Sequence, residues 1–180
     1  MDNDSQKPLY AAYIAMTMDG RLGVDSHHMS TDWTSAEDKA FFRAELCTCD
    51  VMLLGRNTYE TAKSRLSKRN CIVLTTKVAG TLKEADNLLW VNPAHESVAK
   101  IIEDAGYKKV AVLGGAQTYD YCLRNNLLDD LYLTMEPIVF GLGIPFVVSK
   151  DFDPIKFKLI DSKSLNEQGT LLLHYRPMNK

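Results

Sequence analysis

No apolar run in this 180-residue chain approaches a membrane span: the longest early one, Leu9 to Met16, falls far short of the roughly 20 residues that a spanning helix needs. The opening Met1-Asp-Asn-Asp-Ser-Gln-Lys7 is polar, so residues 1–8 are expected to be a flexible N-terminus on a soluble cytoplasmic protein. An excess of charge of one sign is missing too. The formal net charge is -2, which supplies no basic field for nucleic acid and no acidic tail, so neither nucleic acid nor a membrane is expected as a partner. The four cysteines, Cys47, Cys49, Cys71 and Cys122, contain no C-x-x-C and no paired His-Cys spacing. That excludes a zinc ribbon and a disulfide framework and leaves reduced, mostly buried thiols. His27 and His28 are adjacent and so do not converge on one ion; with no supporting carboxylate pattern, they read as exposed loop residues, and no metal site is expected. Low-complexity segments and internal repeats are absent.

What remains is an ordinary globular balance, 46% hydrophobic and 24% charged, enough for one domain over residues 1–180 with a substantial core. Short apolar runs alternate with helical patterns, which is α/β organisation. Strands are expected at Leu9 to Met18, Val51 to Leu54, Cys71 to Thr75, Leu88 to Val91 and Leu131 to Met135. Thr34-Ser-Ala-Glu37 has capping-box spacing and predicts a helix from about Ser35 to Cys47. A short helix is expected around Thr58 to Ser64. Asn92-Pro93 reads as a cap and first-turn proline for a helix whose Val98, Ile101, Ile102 and Ala105 share one face, stopped by Gly106. Another helix follows Gly115 to about Asn125. Phe157 to Ser164 and Thr170 to Arg176, separated by Asn166-Glu-Gln-Gly169, predict an antiparallel hairpin closing a mostly parallel central sheet with flanking helices.

Val110-Ala-Val-Leu-Gly-Gly-Ala-Gln-Thr-Tyr119 is the most informative segment, because a β-branched run breaks at two glycines and turns directly into a helix. Gly114 and Gly115 let backbone approach a ligand, and the N–H groups of a helix starting near Ala116 attract a phosphate; the alternative is a tight turn that binds nothing. Arg56 follows Gly55 at a strand end and Thr58 opens the next helix, so a guanidinium, a hydroxyl and free N–H groups would converge on a phosphate, against ordinary helix capping as the alternative. Thr75, Thr76 and Lys77 repeat that pattern one strand over, with a solvated lysine as the alternative. Asp38 projects from the capped helix with Phe42 one turn on, a carboxylate beside a ring wall, or else a first-turn acid favoured by the helix dipole. Asp19 either orders the loop after the first strand or touches a ligand, or forms a plain Asp-Gly turn. Gly141-Leu-Gly143 lacks a third glycine and a strand-turn-helix context, so it is not a dinucleotide fingerprint and is read as shaping a cleft mouth. Trp33 and Tyr59 read as core or rim aromatics.

Ile14-Ala-Met-Thr-Met-Asp-Gly-Arg-Leu-Gly23, Leu54-Gly-Arg-Asn-Thr-Tyr-Glu60, Ile72-Val-Leu-Thr-Thr76, Leu113-Gly-Gly-Ala-Gln-Thr-Tyr119 and Leu133-Thr134 occur in an order and at spacings that resemble the dihydrofolate reductase-like superfamily, from roughly Leu9 to Tyr175. The resemblance implies that fold, NADPH as hydride donor, and a cis peptide between Gly114 and Gly115. It places Ala15, Gly55, Arg56, Asn57, Thr58, Thr75, Thr76, Lys77, Leu113, Gly114, Gly115, Ala116, Gln117 and Thr118 at the cofactor, with Thr75 to Lys77 toward the adenosine 2′-phosphate. Asp38 becomes the catalytic anchor for a heterocyclic small-molecule substrate, and Asp19, Phe42, Arg69 and Thr134 become substrate contacts. Two branches compete.

Trp33, Asp38 and Phe42 look like the substrate helix of folate reductases, and Arg69 stands where their arginine for the glutamate carboxylate lies. Met16-Thr-Met-Asp-Gly-Arg21 and Pro137-Ile-Val-Phe-Gly-Leu-Gly-Ile-Pro145 look instead like the reductase of riboflavin biosynthesis, which acts on 5-amino-6-(5-phosphoribosylamino)uracil. Each branch meets a departure: Glu60-Thr-Ala-Lys-Ser-Arg-Leu66 replaces the riboflavin branch's Asp-x-Pro segment, and Asp32 replaces the folate branch's proline before tryptophan. The deaminase often fused to the riboflavin enzyme has no counterpart, since no H-x-E with P-C-x-x-C occurs in this sequence. The riboflavin-type reductase leads, a dihydrofolate reductase is the alternative, and a nucleotide-binding protein without catalysis is the third reading. A homodimer is implied by resemblance alone.

Overall fold

A computed structural model describes residues 7–149, 151 and 153–178. Most of the expected flexible N-terminus, residues 1–6, lies outside the described residues; Pro8 is already buried. In chain order the elements are β1 (Leu9–Thr17), β2 (Arg21–Gly23), α1 (Ser30–Trp33), α2 (Ala36–Leu46), β3 (Val51–Gly55), α3 (Arg56–Leu66), β4 (Cys71–Leu74) and β5 (Thr81–Ala85). The chain continues with β6 (Leu88–Val91), α4 (Val98–Asp104), β7 (Lys109–Gly114), α5 (Ala116–Arg124), β8 (Asp130–Glu136), β9 (Ile144–Pro145), β10 (Phe157–Ser164) and β11 (Leu171–Pro177).

Nine strands form one sheet in the order β10-β11-β8-β1-β7-β3-β4-β6-β5. Its middle, from β8 through β6, is parallel, and both edges are antiparallel. The sequence explains the division. Val51-Met-Leu-Leu54 and Cys71-Ile-Val-Leu74 are apolar at every position because helices cover both faces, as parallel strands require. β1 shows the sidedness directly: Tyr10, Ala12 and Ile14 join the core under α4 and α5, while Ala11 and Tyr13 join the core under α2 and α3. The expected C-terminal hairpin is present as β10 and β11, with Leu171 to Tyr175 paired against Met135 to Leu131.

Local chemistry moved several boundaries. The cap of α2 is Ser35, whose hydroxyl accepts the Asp38 N–H at 3.2 Å, rather than Thr34. Glu37 reaches out to Asn166 instead of closing a box. α4 begins at Val98 behind a Ser97 cap, because Asn92 is spent in its own turn, accepting from the Ala94 N–H and donating to the Val78 carbonyl. α3 starts at Arg56, straight out of β3, and runs to Leu66. β5 carries no apolar alternation; it is an exposed edge strand with Lys83 and Glu84 along it, composition that discourages further pairing. The thiols are less uniform than expected, with Cys71 and Cys122 buried, Cys49 half-buried and Cys47 exposed.

Candidate active site

A cleft of about 600 Å³ opens at the carboxyl ends of β1, β3, β4, β7 and β8. In a largely parallel sheet this is where strands stop, helices begin, and ligands bind. β3 and β7 pair in register through Leu53 and Val112, then slip so that Leu54 faces Gly114; the cleft lies beyond that slip.

One wall is backbone. α3 and α5 start on Gly55 and Gly115, and neither glycine supplies a side-chain cap; in α5 the Thr118 N–H turns back to the Gly115 carbonyl at 2.8 Å, which leaves the N–H groups at the very start of each helix to whatever enters the cleft. Space there is reserved for backbone: a Cβ on Gly55 would sit 3.0 Å from the Thr118 hydroxyl, and one on Gly115 would sit 3.4 Å from the Thr58 hydroxyl. The Gly114-Gly115 peptide is cis, and Gly114 has φ +92°. A Cβ on Gly114 would meet the Tyr119 ring at 2.8 Å, and that ring is fixed by its hydroxyl donating to the Tyr13 carbonyl at 2.8 Å. The conformational demand for glycine therefore falls on Gly114, which lies behind the cleft wall, while Gly115 lines the cleft. Arg56, Asn57, Thr58, Thr75, Thr76, Lys77, Ala116, Gln117 and Thr118 line this side as well. Among the described residues, neither the Arg56 guanidinium nor the Lys77 ammonium pairs with a carboxylate.

The opposite wall is made of side chains. Asp38, 7% exposed in the first turn of α2, lines the cleft with Phe42 on the same helix face and Thr134 on β8. Burial pushes the Asp38 carboxyl above its ordinary range; the Glu136 charge adds to this, and the hydroxyls of Thr134 and Thr34 and the Lys39 ammonium oppose it. Tyr13, Phe41 and Tyr132 complete an aromatic rim, with the Tyr13 and Tyr132 rings stacked at 5.3 Å. The Tyr13 hydroxyl donates to Glu45 at 2.8 Å, and burial together with that bond pushes its pKa up.

Most of the residues singled out in the sequence meet in this one cleft, Ala15 and Leu113 included. Three do not line it: Gly114, Asp19 and Arg69. Asp19 organises loops instead, accepting from the Thr17 hydroxyl at 2.6 Å and from the Phe140 and Gly141 N–H groups, and these bonds hold its carboxyl below the usual range. It ties the turn after β1 to the Pro137 to Pro145 loop, and beside it β2 pairs with β9. Arg69 corrects an expectation. Its guanidinium closes the C-terminal end of α2, where the last carbonyls of a helix attract a cation, donating to the Leu46 carbonyl at 2.6 Å and reaching the Cys47 sulfur. Trp33 packs edge-on against Phe140 at 5.2 Å, and Tyr59 against Trp90, both away from the cleft lining. Sequence reasoning missed Tyr13, Phe41 and Tyr132. Alternation in β1 and β8 marks Tyr13 and Tyr132 as sharing a face with Ala15 and Thr134, and that period was the available signal.

The dihydrofolate reductase family profile matches residues 11–170, most of the chain and every cleft strand. The chain belongs to the dihydrofolate reductase family. Among curated relatives, the uncharacterized protein YwjB of Bacillus subtilis is 25% identical over 172 residues, covering 91% of this chain and 94% of its own. Two solved structures share the fold. A putative riboflavin biosynthesis protein from Shewanella superposes with a TM-score of 0.72 at 20% identity, covering 95% of this chain and 99% of that one. A dihydrofolate reductase from Enterococcus faecalis, complexed with NADP(H) and RAB-propyl, superposes with a TM-score of 0.67 at 24% identity, covering 97% of this chain and 98% of that one. No helix among the described residues is long and apolar enough to cross a membrane, and no cluster of three or more His, Cys, Asp or Glu among them is arranged to hold a metal ion.

Proposed function

We propose that this chain is an NADPH-dependent reductase of a pyrimidine- or pterin-type heterocycle, most like the reductase of 5-amino-6-(5-phosphoribosylamino)uracil. The observation that carries the reading is the pairing of walls: a buried acid beside an aromatic rim faces two uncapped helix N-termini across one cleft. The glycine-walled side fits a dinucleotide, since Cβ-free positions lie at two helix N-termini without side-chain caps, with Arg56 and Lys77 placed to meet phosphates. When bound, NADPH would supply the hydride. Arg56, Thr58, Thr76 and Lys77 would hold its phosphates, and Gly115 to Thr118 would cradle it with backbone.

This chain's residues have three tasks at the other wall. Phe42, Phe41, Tyr13 and Tyr132 shield a flat ring from water. The Asp38 carboxylate accepts the N–H pair of an amidine-like edge and, with its raised pKa, holds a proton close to the ring nitrogen. Thr134 orients that carboxyl. A folate reductase would use the same acid, but the arginine that reading assigns to a glutamate tail is occupied at the end of α2. That favours an acceptor without a benzoyl-glutamate tail.

The test is NADPH oxidation by the purified protein, run side by side with dihydrofolate and with 5-amino-6-(5-phosphoribosylamino)uracil. Turnover of the pyrimidine in excess of dihydrofolate is expected. The reverse preference establishes a folate reductase, and saturable NADPH binding with no turnover of either leaves a nucleotide-binding protein.

A further inference from the structure

Glu136 is among the most buried carboxylates of the described chain, 3% exposed, and it does not itself line the cleft. Carboxylates are rarely buried unless something demands one there, because desolvation opposes it. On β8 it stands two residues beyond Thr134, so both point to the same face of the sheet. Its two oxygens are both engaged. One accepts the backbone N–H of Ser35 at 2.7 Å and the other accepts the Thr170 hydroxyl at 2.7 Å. Ser35 is the residue that caps α2, and its own hydroxyl accepts the Asp38 N–H. A direct chain of contacts therefore runs from β8 through Glu136 to the cap and on to the backbone of Asp38. Thr170, at the start of β11, is anchored in turn by Asn166, which also bonds Glu37 in the first turn of α2.

We propose that Glu136 is a positioning residue for Asp38: it pins the first turn of α2 between β8 and the C-terminal hairpin, and it keeps a second negative charge beside the acid. A neutral acceptor such as glutamine would satisfy the same donors in part, so geometry alone does not call for a charge. What a charge adds is electrostatic. The charged groups acting on Asp38 are Glu136 from β8 and Lys39 from its own helix, with the hydroxyls of Thr134 and Thr34 beside it. Of the other acids of α2 and β8, Glu37 is directed to Asn166, Glu45 to the Tyr13 hydroxyl and Lys109, and Asp130 to His174 and Arg176, while Asp19 in the turn after β1 serves the Phe140 and Gly141 N–H groups. Glu136 is thus the anion that opposes ionisation of Asp38, reinforcing what burial does. The positioning role rests on Asp38 being the substrate anchor; the electrostatic coupling does not.

Carbon-13 titration of the Asp38 side-chain carboxyl in the ligand-free protein separates the two. In Glu136→Gln, which removes the charge and keeps an acceptor, the Asp38 midpoint should fall by on the order of half a unit to one unit, since a neighbouring anion no longer resists its ionisation. A midpoint unchanged from wild type overturns the proposal and leaves Glu136 a structural tether. Should that variant not fold, Glu136→Ser, a neutral acceptor small enough to admit a bridging water, carries the same test, and an Asp38 midpoint unchanged from wild type there overturns the proposal in the same way. Turnover then tests the positioning half, because the alkaline limb of the pH profile should move to lower pH in Glu136→Gln by the same interval. If Asp38→Asn retains turnover while the titration shift is present, the assignment of Asp38 to the substrate fails and the coupling stands.

Discussion

The two walls of the cleft use different parts of the polypeptide. The β3–α3 and β7–α5 side offers mainly main-chain N–H groups at Gly55 and Gly115, with Arg56 and Lys77 reaching in from its edges. The α2–β8 side offers almost no free backbone; its work is done by Asp38, Phe42 and Thr134 against Tyr13 and Tyr132. A backbone wall recognises what all nucleotides share, phosphate charge and close approach. A side-chain wall recognises one ring edge and can be retuned by a single substitution.

The comparison makes its strongest demand at Asp38. Asp38→Asn keeps the shape but presents an NH₂ donor where the ring edge requires an acceptor, so turnover should fall by about 10²–10³. NADPH affinity, measured by fluorescence titration, should not move, because the other wall is intact. The same variant should melt higher than wild type at neutral pH. Burial raises the folded-state pKa of Asp38, so an unfolded chain loses this proton first and stability declines as pH rises through the carboxylate range. The Asn variant has nothing to ionise there, and its melting profile should lack that decline.

This division also governed what could be read without coordinates. The backbone wall was legible because glycine leaves a mark: strand, Gly-Gly, helix over Val110 to Tyr119, and Gly55-Arg56 at the end of an apolar run. The continuous apolar strands β3, β4 and β6 and the hairpin of Phe157 to Ser164 with Thr170 to Arg176 were legible from equally local patterns. The side-chain wall was not. Asp38 reads by itself as a first-turn acid, and only resemblance raised it above that. Arg69 went astray because its partners, the Leu46 carbonyl and the Cys47 sulfur, lie 23 and 22 residues away along the chain. Glu136 gave no signal, since its partners Ser35 and Thr170 are 101 and 34 residues away along the chain.

Arg56 tests the cofactor wall next. Arg56→Ala should weaken NADPH binding by about 1.5–3 kcal/mol, one to two decades, the usual scale for a hydrogen bond to a charged group. At saturating NADPH, turnover should recover to near the wild-type value. Loss of turnover that saturation does not restore would erase the separation of the walls.

Within the glycine pair the effects should divide. Gly114→Ala forces a side chain to adopt φ +92° against the hydrogen-bonded Tyr119 ring, so urea denaturation should show a loss of about 2 kcal/mol or more. Gly115→Ala places a methyl group toward Thr58 with ordinary backbone angles, and stability should stay within about 1 kcal/mol of wild type while NADPH binds more weakly. Equal destabilisation by both would assign the pair to folding alone.

Lys77 should give the smallest effect and the finest distinction. It is an exposed ammonium just past the end of β4, with its own N–H tied to the Thr75 hydroxyl at 3.2 Å, so the backbone is placed while the side chain is free. An exposed charge pair contributes at most about 1 kcal/mol, so Lys77→Ala should weaken NADPH binding by no more than roughly fivefold. If Lys77 serves the 2′-phosphate, NADH binding should be unchanged by the same substitution, and the NADPH preference should shrink accordingly. The interaction is also screened: raising ionic strength from 0.01 M to 1 M shortens the Debye length from about 30 Å to about 3 Å and should abolish the difference between Lys77→Ala and wild type. The deficit of Arg56→Ala should persist in part, since a guanidinium closer to the uncapped N-terminus of α3 acts through directed hydrogen bonds as well as charge. A Lys77→Ala deficit that is equal for NADPH and NADH, or indifferent to salt, would remove Lys77 from the phosphate and leave Arg56 with Thr76 as the groups that tell the two cofactors apart.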